Sequence, residues 1–119
     1  MRDHTKLRAF ELADEIAVRV YKITRTFPRE EAYGLTSQVR RAAVSVPSNI
    51  VEGCSRESQS EYSRFLEIAF GSLRELHYQL SLATRLGYLD AGGYAECESV
   101  IVEEEKVLGS LVRSMREER

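Results

Sequence analysis

Residues 35–53, LTSQVRRAAVSVPSNIVEG, decide the fold. At 100° per residue, Leu35, Val39, Ala42, Ala43, Val46 and Ile50 fall within about 100° of one another, so they form one core-facing stripe on a helix. Pro47 lies inside this helix. It removes a backbone donor and crowds the preceding turn, and a kink rather than an end is expected because the stripe continues to Ile50. Gly53 and Ser55 then close the helix.

The same periodicity extends in both directions. Downstream, Ser58 with Glu61 three residues on matches a capping box, and Tyr62, Leu66, Ala69, Leu73, Leu76, Leu80 and Ala83 carry a third helix over 58–87, ending at Leu86 and Gly87. A fourth, over 92–116 and opened by Asp90 or Gly92-Gly93, keeps Tyr94, Cys97, Ile101, Leu108, Leu111 and Met115 on one seam. Upstream, Leu7, Phe10, Ala13, Ala17, Val20, Tyr21, Thr24 and Phe27 predict a first helix over 5–27, stopped by Pro28. Gly34, before the second helix, offers a backbone that tolerates positive φ. No segment alternates with period two, so no sheet is expected. Four amphipathic helices with short connections predict an all-α, antiparallel up-down-up-down four-helix bundle, a single domain over 1–119.

Composition narrows the function classes. The chain has 119 residues, 43% hydrophobic and 30% charged, with two prolines, no tryptophan and a formal net charge of −2, which excludes disorder, collagen and a strongly basic nucleic-acid coat. The charge is uneven: residues 1–50 hold nine Lys or Arg against six Asp or Glu, whereas residues 90–119 hold four against eight. Any nucleic-acid contact must therefore come from a local patch in the first half. No apolar run reaches the ~20 residues of a membrane span, and the N-terminus is charged from Arg2, so a cytoplasmic protein with reduced Cys54 and Cys97 is expected.

Two helices carry more apolar surface than a lone bundle uses. Val44 and Val51 lie roughly opposite the core stripe of the second helix, with Pro47 and Arg40 beside them, and Gly71, Tyr78 and Leu82 lie opposite that of the third. A mid-helix glycine costs about 1 kcal/mol relative to alanine unless something must approach closely. Val44, Pro47, Val51, Gly71, Tyr78 and Leu82 are the expected oligomer interface. Arg40 and Arg41, with Ser45, Ser48 and Glu52 near Arg41, suit either bidentate phosphate binding or salt bridging to a carboxylate. Lys22 and Arg25, with Arg8 and Arg29, join them only if packing brings them together.

Catalytic and metal patterns are absent. There is no Glu-x-x-His, and Glu75 and His77 stand two apart, on different faces of a helix. His77 reads as a packed, hydrogen-bonded side chain, and Glu103 to Glu105 as a solvated or inter-helix salt-bridging face. Cys54 lies near Arg56 and a helix end, which would lower its pKa, but has no identifiable base. Gly92-Gly93 lacks the lysine and hydroxyl of a phosphate loop. No catalytic residue, metal or cofactor is expected.

Residues 27–89 resemble the four-helix bundle family named for proteins encoded in intervening sequences of 23S ribosomal RNA genes. The resemblance rests on Phe27-Pro28, Tyr33-Gly34-Leu35, Gln38, Arg40-Arg41-Ala42, Pro47-Ser48-Asn49-Ile50, Glu52-Gly53, Phe65-Leu66, Gly71-Ser72-Leu73, Glu75-Leu76 and Leu86-Gly87-Tyr88. It implies a homopentameric ring and, through kinship with the accessory bundle protein of diversity-generating retroelements, binding of RNA or DNA beside a nucleic-acid enzyme. It also implies that Arg40, Arg41 and Asn49 are polar signature residues, with Glu52 a partner for an arginine. The expected function is a non-enzymatic, self-associating scaffold or adaptor, with Arg40, Arg41, Ser48, Asn49, Lys22 and Arg25 toward nucleic acid or a partner. The alternative is a protein-interaction module whose acidic fourth helix meets a basic partner.

Overall fold

The computed structural model describes residues 2–118. Four helices carry the fold: α1 (Arg8–Ile23), α2 (Leu35–Cys54), α3 (Gln59–Arg85) and α4 (Ala91–Glu117). There is no strand among the described residues. Short 3-10 turns stand at His4–Lys6, Thr24–Thr26 and Arg29–Glu31. Each helix packs against its neighbours in the chain, and α1 also packs against α4.

Local chemistry sets the helix ends. The Ser58 hydroxyl accepts from Glu61 N at 3.0 Å, as the capping box requires, and Asp90 Oδ1 accepts from Gly93 N at 2.6 Å to open α4. At the end of α3, Gly87 N donates to Thr84 O at 3.0 Å and Tyr88 N to Ala83 O at 2.9 Å. This Schellman closure needs the φ of +81° that Gly87 adopts. Gly34 has another role than the expected positive φ: its φ is −114°, and a Cβ there would come within 2.6 Å of Glu31 Oε1, the atom that accepts from Leu35 N to cap α2. Helix α2 runs unbroken across Pro47, so the proline does not end it.

The first helix is shorter than the expected span of 5–27. Leu7 is extended, with φ −92° and ψ 127°, and Thr24 Oγ1 donates to Val20 O at 2.7 Å, where the helix gives way to a 3-10 turn. Its buried face is also rotated. Ala9, Leu12, Ala13, Ile16 and Val20 are buried, whereas Leu7, Phe10 and Ala17 are half-buried and Tyr21 is exposed. Apolar residues cover so wide an arc of this helix that α2 and α4, rather than periodicity, select the inner side.

On the other helices the expected stripes turn inward: Val39, Ala42, Ala43, Val46 and Ile50 of α2, the seven named positions from Tyr62 to Ala83 of α3, and Cys97, Ile101 and Leu108 of α4 are buried, whereas Leu35, Tyr94, Leu111 and Met115 are half-buried against that core. Burying each large aliphatic side chain stabilises the fold by about 1.5–3 kcal/mol. Thr24, Thr36, Ser63, Gln79 and Glu104 are polar residues buried among them, and Glu104 is the one that carries an ionisable group. Glu104 is fully buried and neither carboxyl oxygen has a donor among the described residues, which corrects the expectation of a solvated or salt-bridged residue there. Burial pushes its pKa up to about 8, opposed in part by the charge of Arg8. Its neighbours follow the expectation: Glu103 pairs with Arg8 at 2.8 Å, and Glu105 with Arg74 at 2.9 Å.

Candidate functional site

The structure divides the basic residues singled out in the sequence. Arg40 points back to the end of α1, where Nε donates to Thr24 Oγ1 at 2.8 Å and the guanidinium lies 4.6 Å from the centre of the Tyr21 ring. A cation at that place also complements the negative end of the α1 dipole. Lys22 and Arg25 line a shallow cleft of about 260 Å³ with Ala17, Val18 and Tyr21, whose ring Arg40 lies over. Arg41 does not join them. It is exposed and about 100° further round α2, on the side of Ser48.

Asn49 and Glu52 act within the chain. Asn49 Nδ2 donates to Ser45 O at 2.8 Å and to Ser45 Oγ at 2.9 Å, and Ser45 Oγ shares a 2.8 Å hydrogen bond with Ser72 Oγ of α3. The amide thus braces the polar contact between α2 and α3. The arginine partner of Glu52 is Arg56, one turn along, rather than Arg40 or Arg41.

Of the six expected interface residues, Val44, Val51, Gly71 and Tyr78 are exposed, and Pro47 and Leu82 half-buried. Tyr78 is 60% exposed, Ile68 is also exposed, and a Cβ on Gly71 would meet nothing within 4 Å. Because α2 and α3 pack side by side, these residues put apolar surface on the outer sides of two adjacent helices.

A polar cluster that sequence reasoning missed lies between α3 and α4. His77 Nδ1 is 2.8 Å from Glu105 Oε2 and Nε2 is 2.9 Å from Glu98 Oε2. The Tyr94 hydroxyl donates to Glu98 Oε2 at 2.8 Å. The expectation of a hydrogen-bonded His77 is met. The legible signal was spacing: Arg74 and His77 share one face of α3, and Glu98 and Glu105, seven apart, one face of α4. Burial lowers the pKa of His77, but the bonds to Glu98 and Glu105 outweigh it and hold the ring above its ordinary value. Glu98 is held below its ordinary value by His77 and then Tyr94.

Both cysteines are free and buried. Burial raises the Cys54 thiol, against the lowering expected from its helix-end position, and pushes Cys97 up to about 11. Among the described residues no group of three or more His, Cys, Asp or Glu converges as a metal ion would require, and no helix is long and apolar enough to cross a membrane.

Core, caps and surfaces together define an all-α four-helix bundle with a braced α2–α3 pair. The chain belongs to the 23S rRNA-intervening sequence protein family, whose model matches residues 5–110. It is similar to a crystal structure of a protein of unknown function from the S23 ribosomal protein family of Bacteroides thetaiotaomicron VPI-5482. That likeness has a TM-score of 0.81 at 24% identity over 87% of this chain and 97% of the other, and it shows the shared fold. No curated protein matches the chain.

Proposed function

We propose that the chain is a non-enzymatic scaffold, one domain that self-associates through the outer sides of α2 and α3 and holds nucleic acid at the basic corner around Tyr21. The observation that carries it is the exposed apolar surface of Val44, Val51, Ile68 and Tyr78 beside Gly71, whose missing side chain leaves open space. A lone bundle gains nothing from leaving these groups in water, whereas a second copy would cover them. Within each copy we infer an up-down antiparallel order. It is supported by the descending pairing of α3 with α4: Gln59 with Glu118, Glu67 with Arg116, Arg74 with Glu105, His77 with Glu98. The family resemblance favours a five-membered ring, in which each copy would present one face to a different face of the next. Two buried free thiols suit a reducing, cytoplasmic setting.

Val44→Asp with Tyr78→Asp tests the association: the double variant keeps its helical circular dichroism and falls to a smaller mass in sedimentation. An unchanged mass contradicts the proposal. The nucleic-acid part rests on Lys22 and Arg25 lining a cleft with the exposed Tyr21, whose ring Arg40 lies over, a combination of cations and an aromatic residue that suits phosphates and bases. Lys22→Ala with Arg25→Ala should flatten the salt dependence of RNA retention by about one unit of slope per lost phosphate contact. A pull-down on the parent chain that survives nuclease would favour instead a basic protein partner on α4.

A further inference from the structure

His77 is held by two carboxylates at once, through opposite ring nitrogens 2.8 and 2.9 Å from Glu105 Oε2 and Glu98 Oε2. An ionised carboxylate has no proton to offer, so each contact is a hydrogen bond only where the ring nitrogen carries its own N–H. A neutral imidazole has one such group and the imidazolium has two. The three side chains therefore keep both bonds only while they hold one proton more than the neutral ring supplies.

The surroundings decide which bond gives way. From α3, Arg74 also reaches Glu105 Oε2, at 2.9 Å; from α4, the Tyr94 hydroxyl reaches Glu98 Oε2 at 2.8 Å. The Glu105 side chain is only 13% exposed and the Glu98 side chain 39%. Water can solvate Glu98 when the ring withdraws its proton but reaches Glu105 poorly. The neutral ring therefore keeps its single N–H toward Glu105.

We propose that His77 is a proton-operated clasp: protonated, it fastens the first turns of α4 to α3 through Glu98, and deprotonated it lets Glu98 go and opens the cleft lined by Arg74, His77, Tyr78, Ser81 and Tyr94. That cleft has a volume of about 280 Å³ with the clasp closed. The linkage has a definite sign. The folded-state pKa is raised, so the clasp is complete below the ordinary histidine value of 6.5 and is lost as pH rises through the folded value.

Nitrogen-15 NMR of the imidazole in the full chain tests it, together with amide exchange over residues 94–98 corrected for the intrinsic pH dependence of exchange. The expected spectrum shows both ring nitrogens protonated at pH 6.5 and a midpoint above the ordinary value, lowered by about 1 unit in Glu98→Gln and in Glu105→Gln. Protection over residues 94–98 should fall across that midpoint in the parent and stay level in His77→Gln. The comparison is repeated in Glu104→Gln, where the core carboxyl no longer titrates, and the same difference is expected. A singly protonated ring at pH 6.5, a midpoint at or below 6.5, or protection that ignores the titration overturns the proposal.

Discussion

Replacing Glu104 by methionine should stabilise this bundle, and by an amount that depends on pH. The side chain is fully buried, and neither oxygen meets a donor among the described residues. Its pKa is about 8 in the folded chain against 4.5 for the ordinary group. Below 4.5 the carboxyl is neutral in both states and adds no pH-linked penalty. Between 4.5 and 8 the unfolded chain ionises and the folded one does not, so stability falls by about 1.4 kcal/mol per pH unit, and above 8 the penalty is constant. From pH 5 to pH 7 the stability difference between Glu104→Met and the parent should therefore widen by about 3 kcal/mol. Methionine has similar length and no polar atom to satisfy, so the variant should also be the more stable at every pH in that range. Urea unfolding followed by circular dichroism at pH 5, 7 and 9, at one fixed protein concentration, reads the difference directly. A pH-independent difference, or a methionine variant less stable than the parent at pH 7, would mean that Glu104 does not sit in the core as a carboxyl without a donor.

Other perturbations test the remaining structure. Gly87→Ala should cost about 1 kcal/mol in urea unfolding, because Gly87 sits at φ +81° where a Cβ is strained; a neutral result would contradict the Schellman closure of α3. Arg40→Ala should cost about 1 kcal/mol through its lost bond to Thr24 and contact with Tyr21, whereas Arg41→Ala should stay within about 0.5 kcal/mol. Equal effects would mean that Arg40 does not hold α2 to the end of α1. Gly71→Ala should raise helix stability by about 0.5–1 kcal/mol in dilute chain while weakening association, a pairing of signs that a merely exposed glycine would not give.

Helix positions were legible wherever the apolar pattern was narrow. In α2 and α3 the core stripe of about 100° holds more apolar residues than the face opposite it, so the inner side was clear; the side chains of Ser58 and Asp90, which bond within a turn, and Gly87 at positive φ marked the helix ends. In α1 two overlapping apolar arcs made Tyr21 look like core, and only packing against α2 and α4 turned Leu12 and Ile16 inward. Long-range pairing was less visible. Arg40 and Arg41 are neighbours in sequence, but 100° of helical rotation sends one to Tyr21 and leaves the other exposed. Glu103, Glu104 and Glu105 read as one acidic run, although consecutive helical positions point three ways: to Arg8, into the core, and to Arg74 with His77. The partners of such residues lie on other helices, and no local pattern names them.

The proposed scaffold depends on the outer sides of α2 and α3 meeting another copy. Sedimentation equilibrium of the native chain at tens of micromolar measures this most directly. One chain weighs 13.6 kDa, and a single closed species of about five chain masses is expected. A chain that remains monomeric throughout that range would contradict it.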